Sequence, residues 1–124
     1  MKPDSQDLLR LADELMAATG PDRRLDYWIM TRTLPTGHAY LWDPEDQNHR
    51  YTASLDAAGV LVPTNSLWAV GSDIDGPFAR VMPPVRDGWV GSEQQHCLAA
   101  TPPLALCAAA LKARAHSTKE TSIG

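Results

Sequence analysis

From Thr101 onward the chain reads TPPLALCAAALKARA, and no other segment restricts the fold so strongly. A threonine before two prolines is a helix start. The hydroxyl can cap the first free N–H groups, and proline in the first turn gives up an N–H that a helix leaves unbonded anyway. The run LALCAAALKARA then continues without a breaker. Leu104, Cys107, Ala108 and Leu111 mark one face of this helix, while Leu106, Ala109, Ala110 and Ala113 leave the other almost as apolar. A helix apolar all round must be covered on two sides, by layers of its own domain or at a subunit contact.

Length limits what can do the covering. At 124 residues the chain suits one core. A single α+β domain is expected over 1–116, with 117–124 as a polar, flexible tail. The ten prolines divide the rest into blocks. Leu8, Leu11, Ala12, Leu15 and Met16 recur at three- and four-residue spacing, which predicts an amphipathic helix over 4–19 with Asp4 or Ser5 as N-cap and Gly20 as terminator. Pro21 suits the first position of a second, shorter helix in which Leu25, Trp28, Ile29 and Arg32 share a side. Residues 36–50 (TGHAYLWDPEDQNHR) have no helical period and read as a loop, with at most a short extended piece at 39–42. Thr52 or Ser54 can cap a helix running to about Leu61.

After Pro63 the pattern turns extended. Strands at 67–72 and 78–82 bracket Asp73-Ile74-Asp75-Gly76-Pro77, whose Asp-Gly pair marks a hairpin turn, and a third strand is predicted at 88–92. The expected architecture is therefore α+β: a three-to-four-stranded antiparallel sheet packed by helices in layers, with the C-terminal helix central.

Several function classes are argued against. Eleven Lys and Arg against fifteen Asp and Glu leave a net charge of −4, which repels a phosphate backbone, so no nucleic-acid partner is expected. The nearest basic cluster, Arg23, Arg24 and Arg32, is interleaved with Asp22 and Asp26. Cys97 and Cys107 lie in no CxxC or Cys/His array, so neither a disulfide framework nor a zinc site is signalled. No apolar run approaches the ~18 residues of a membrane span and the N-terminus has no signal core, so a cytoplasmic protein is expected.

Hydrolase-elbow, P-loop and dinucleotide motifs do not occur. Asp73-x-Asp75-Gly76 begins like a calcium loop but lacks the later ligands, which leaves a turn. The four histidines are scattered, and His96 and Cys97, as neighbours on a strand, would point apart. No catalytic residue, metal ligand or cofactor is expected. An enzyme built on this chain would have to use Asp56, His49 or His96 as unaided acid–base groups.

Aromatic residues supply the candidate site. Four of the eight are tryptophans. Trp28, Trp68 and Trp89 fall in predicted elements and are expected in or near the core, whereas Trp42 stands in the polar loop near Tyr40, Arg50 and Tyr51. Rings beside a guanidinium suit a nucleobase stacked on an aromatic with its phosphate paired to arginine, although loop aromatics tucked over the sheet fit equally simple packing. Arg80 shares a strand face with Phe78 and Met82 and needs a partner there. The candidate ligand-binding residues are thus Trp42, Arg50, Tyr51 and Arg80.

The segment YTASLDAAGVLVP (51–63), the tryptophan-bearing strands and ATPPLALCAAALKARA (100–115) resemble small proteins of tailed phages and prophages, similar to the phage ABA-sandwich domain. The likeness covers the last 75 or so residues, and Gly59 departs from the bulkier helix residue of that pattern. It implies a layered fold with a sheet between helices and defines no catalytic residue. It also implies a setting, the host bacterial cytoplasm, where small phage accessory proteins act against defence systems and some are oligomeric sponges for nucleotide-derived signals. The resulting expectation is a homo-oligomer that binds a small anionic nucleotide-like ligand without turnover. The alternative is a protein-interaction module that blocks a host defence protein or serves as a minor phage structural or assembly factor.

Overall fold

The computed structural model describes residues 5–33, 50–62, 66–82 and 95–123, except the side chains of Ser5 and 116–123. Its elements follow in the order α1 (Ser5–Ala17), α2 (Arg23–Thr33), α3 (Leu55–Gly59), β1 (Leu67–Asp73), β2 (Gly76–Met82), β3 (Gln95–Leu98) and α4 (Pro102–Ile123). The fold is α+β, as its pattern predicts. Trp42 and Trp89, the extended piece at 39–42 and the strand expected at 88–92 lie outside the described residues.

Helix α4 starts as read: Thr101 Oγ1 accepts from the Leu104 N–H at 3.3 Å, and the Thr101 carbonyl accepts from the Ala105 N–H at 3.0 Å. Every residue from Leu104 to Leu111 is buried, both faces included. One side meets α1, whose Leu8, Leu11, Ala12 and Leu15 are buried at the predicted spacing; the other meets the sheet through Ala79, Val81 and Cys97, and α3 packs alongside. Alanine suits this position because two layers can close on the backbone with little side-chain volume between them. From Leu104 to Leu111 the covering of α4 is complete within one chain, so this doubly apolar stretch needs no second subunit. Helix, rather than sheet, forms the middle layer. The α4 backbone stays helical through Ile123, across residues expected to be a tail.

The sheet is an antiparallel meander in the order β1-β2-β3. Its hairpin closes on the pair Asp73↔Gly76, with Ile74 and Asp75 at the tip. Asp73 Oδ1 accepts from the Asp75 N–H at 2.8 Å, and Gly76 takes φ 114°, a left-handed conformation that a Cβ would strain. The third described strand lies at Gln95–Leu98, with His96 exposed and Cys97 buried. Trp68 leans on the end of α3, where a Cβ on Gly59 would stand 3.4 Å from its ring, within ordinary contact.

Asp22, rather than Pro21, is the start signal of α2: its Oδ1 accepts from the N–H groups of Arg24 at 2.8 Å and Leu25 at 3.4 Å. The buried side of α2 is Leu25, Asp26, Ile29 and Met30, while Trp28, 39% exposed, and Trp68 of β1, 41% exposed, stand at the rim of the core rather than within it. A polar clamp joins α2 to the segment before α3. Thr52 donates from both its N–H and its hydroxyl to Asp26 Oδ1, at 2.8 Å each, and Thr52 Oγ1 accepts from the Asp22 N–H at 2.9 Å. Arg23 pairs with the second carboxylate oxygen of Asp26 at 2.9 Å. This clamp leaves Ser54, not Thr52, to cap α3, through a 3.2 Å bond from the Ala57 N–H.

Candidate functional site

The exposed Trp28 belongs to a cleft between α1 and α2. Asp7, Arg10, Leu11 and Glu14 line it from α1, and Trp28 and Arg32 from α2, around a volume of about 270 Å³. Spacing on each helix creates it. Residues 7, 10, 11 and 14 fall along one side of α1, and residues 28 and 32 are one turn apart on α2. The floor is Leu11, buried, and the walls are charged or aromatic.

The Arg32 guanidinium lies over the Trp28 indole, 5.0 Å from the ring centroid. Its Nε is 3.8 Å from Asp7 Oδ2, and Nη1 donates to Thr31 Oγ1 at 3.1 Å. An ion pair of that length between part-exposed side chains contributes about 0–1 kcal/mol, so Asp7 orients the guanidinium without neutralising it strongly. Tyr27 meets Trp28 edge to face at 5.4 Å and supports the indole from the flank. The lining thus offers an indole, two guanidiniums and two carboxylates on two helices.

The structure does not gather the four residues expected to bind ligand. Trp42 lies outside the described residues. Tyr51 is 4% exposed: its carbonyl accepts from Cys107 Sγ at 3.2 Å and its ring belongs to the core. Arg50 is half-buried, and its carbonyl accepts from the N–H groups of Ala53 at 3.1 Å and Ser54 at 2.9 Å, closing the turn before α3. Arg80 is exposed on the sheet face turned away from α4, with its guanidinium 5.5 Å from the Phe78 ring centroid. Tyr51 and Arg80 therefore lie on opposite sides of the sheet. Sequence reading passed over Trp28, Arg10 and Arg32 because an amphipathic pattern assigns Trp to the core; the missed signal was the charged 7/10/14 row facing the 28/32 pair.

Burial pushes the thiols of Cys97 and Cys107 up, opposed at Cys97 by Lys112 and reinforced at Cys107 by the Asp26 charge. Both therefore stay protonated at neutral pH and are not poised as nucleophiles. Among the described residues no group of three or more His, Cys, Asp or Glu could hold a metal ion, and no helix is long and apolar enough to cross a membrane. Comparison of the chain with protein-family models, with curated proteins and with solved structures gives no match.

Proposed function

We propose that the protein binds a small, planar, anionic ligand of nucleotide type in the cleft between α1 and α2 and holds it without turnover. The observation that carries this reading is the Trp28–Arg32 stack facing Arg10 across a cavity of about 270 Å³. An indole supplies stacking area, guanidiniums fit phosphate oxygens in a fork, and the carboxylates of Asp7 and Glu14 accept from ribose hydroxyls or an exocyclic amine. The volume sits just below the roughly 300–1,000 Å³ of small-molecule sites, which favours one nucleoside unit. Two cations against two anions leave the lining neutral, so a monophosphate is better matched than a triphosphate. In the phage setting implied by the sequence likeness, such a protein would withhold a nucleotide-derived signal from a bacterial defence.

Isothermal titration with AMP, ADP-ribose and cyclic dinucleotides tests the reading. At least one should bind, with Trp28→Leu and Arg32→Gln each weakening it about tenfold, the worth of one stack or one charge-assisted pair. Ligand recovered after denaturation should be chemically unchanged. Absence of heat with every compound, affinity indifferent to both substitutions, or recovery of a cleaved product would each overturn the proposal.

A further inference from the structure

The sheet has a second face. Ala79, Val81 and Cys97 turn inward to α4, so the alternating residues Phe78, Arg80, His96 and Leu98 turn outward, beside Leu67 and Gly71 of β1. An outward face with no other role is normally polar. Here Leu67 is 64% and Leu98 40% exposed, with Phe78, Arg80 and the His96 ring between them. The register sets Arg80 opposite His96 and Phe78 opposite both Gly71 and Leu98. The Phe78 ring leans over Gly71 so closely that a Cβ there would stand 3.1 Å from ring carbons. Its other neighbours are Arg80, 5.5 Å from the ring centroid, and the His96 ring, also at 5.5 Å and tilted by 39°. Glycine at 71 thus lets an aromatic ring lie down on an open surface between two nitrogen-rich planar groups.

We propose that this face binds single-stranded nucleic acid, stacking bases on Phe78 and His96 and pairing a phosphate with Arg80. Charge and shape select this occupant. Among the described residues of this face Arg80 is the one full positive charge, set at the middle of the sheet, while Asp73, the outward position of β1 beyond Gly71, stands at the hairpin end, so a phosphate finds its partner at Arg80 and not toward the turn. A second copy laid face to face about Arg80 would oppose one guanidinium to the other. A free mononucleotide gains little on a flat surface, whereas successive bases of a strand fit three β-strands spaced about 4.8 Å apart. Duplex is not bound, because its bases are already stacked and its many phosphates would meet one arginine. The proposal is independent of the α1–α2 cleft.

Fluorescence anisotropy with labelled oligothymidylate and oligoadenylate tests it, using the whole chain and a salt titration. Neutralising one or two phosphates sets the slope of log K against log salt at about −0.7 to −1.4. Phe78→Leu should lower affinity about tenfold, the loss of one stacked base. Arg80→Gln should flatten the salt slope toward zero, and Gly71→Ala, which dislodges the ring without removing it, should follow Phe78→Leu. Arg80 is exposed, so its variant reports binding even if the other two fold poorly. A Trp28→Leu/Arg32→Gln double variant should bind the oligomers as the wild type does, which separates failure here from failure of the cleft. No anisotropy change up to millimolar protein, AMP binding to the Trp28→Leu/Arg32→Gln double variant as tightly as the oligomers do, or insensitivity to Arg80→Gln would overturn the proposal.

Discussion

Thr52→Val tests whether the polar clamp, rather than apolar contact alone, fixes α2 in place. Valine keeps the shape of threonine and removes only the hydroxyl. The Thr52 N–H still reaches Asp26 Oδ1 at 2.8 Å, but the second 2.8 Å bond to that oxygen is gone, and the Asp22 N–H loses its 2.9 Å acceptor. A hydrogen bond to a charged acceptor contributes about 1.5–3 kcal/mol, and a deprived donor costs about 1 kcal/mol or more where water reaches it poorly. Thr52 is fully buried and Asp26 1% exposed, so water cannot replace the hydroxyl at the carboxylate. The expected loss is about 3 kcal/mol. With a urea m-value of about 2 kcal/mol/M, the unfolding midpoint should fall by about 1.5 M at unchanged slope. Asp26→Asn keeps an acceptor for Thr52 and spoils mainly the pair with the part-exposed Arg23, so about 1 kcal/mol is expected from it. The double variant should lose less than the sum, because both changes act on one network. A Thr52→Val midpoint within about 0.3 M of wild type, or strict additivity, would mean that apolar contact alone holds α2.

Gly76→Ala forces a Cβ onto φ 114° at the hairpin and should cost about 1–2 kcal/mol by thermal melting, with no change in secondary-structure content. Arg114 donates from Nε to the Leu61 carbonyl at 2.6 Å, tying α4 to the turn after α3; Arg114→Met keeps the stem and should lose about 1 kcal/mol, read as a melting shift of about 3–6 °C. The Cys107 thiol is held above its usual 9.0, so the folded state keeps a proton that the unfolded state releases. Stability from this group is full below pH 9 and is lost as pH rises beyond it, at about 1.4 kcal/mol per pH unit. Urea midpoints from pH 8 to 10.5 should therefore fall more steeply for wild type than for Cys107→Ala, and equal slopes would contradict the assignment.

Local chemistry made most of the fold legible. The Thr101 cap, the Leu8–Leu15 period and the Asp75-Gly76 turn each act through neighbours in sequence, and each lies where its pattern places it. The strand at 95–98 is not legible in the sequence, because its two inward positions are a glutamine and a cysteine and four residues give no readable apolar alternation. Thr52 has the local pattern of a helix cap for a comparable reason. Its hydroxyl serves Asp22 and Asp26, 30 and 26 residues away, and such a demand leaves no mark on the local pattern. The same holds for the candidate site. Adjacency of Arg50 and Tyr51 says nothing of orientation, and the turn sends Tyr51 into the core, whereas Trp28 and Arg10 line one cleft from two helices that periodicity can place but not dock.

The buried helix also explains where binding chemistry can reside. With α4 sealed between α1 and the sheet, the centre of the domain holds alanine, leucine and a protonated thiol, and it has no group to spend on a ligand. Polar function is displaced to the outer surfaces of the two covering layers. On the helical side this is the seam where α1 meets α2, and the clamp at Asp26 matters there because Trp28 and Arg32 ride on the helix it fixes. On the sheet side it is the row through Phe78 and Arg80, backed by the small inward residues Ala79 and Val81 that let β2 lie flat on α4. Substitutions that swell the middle layer, such as Ala109→Leu, should then disturb both surfaces together, costing about 1–3 kcal/mol while weakening cleft and sheet ligands in parallel. Loss at one surface with the other intact would mean that the two layers are positioned independently of α4.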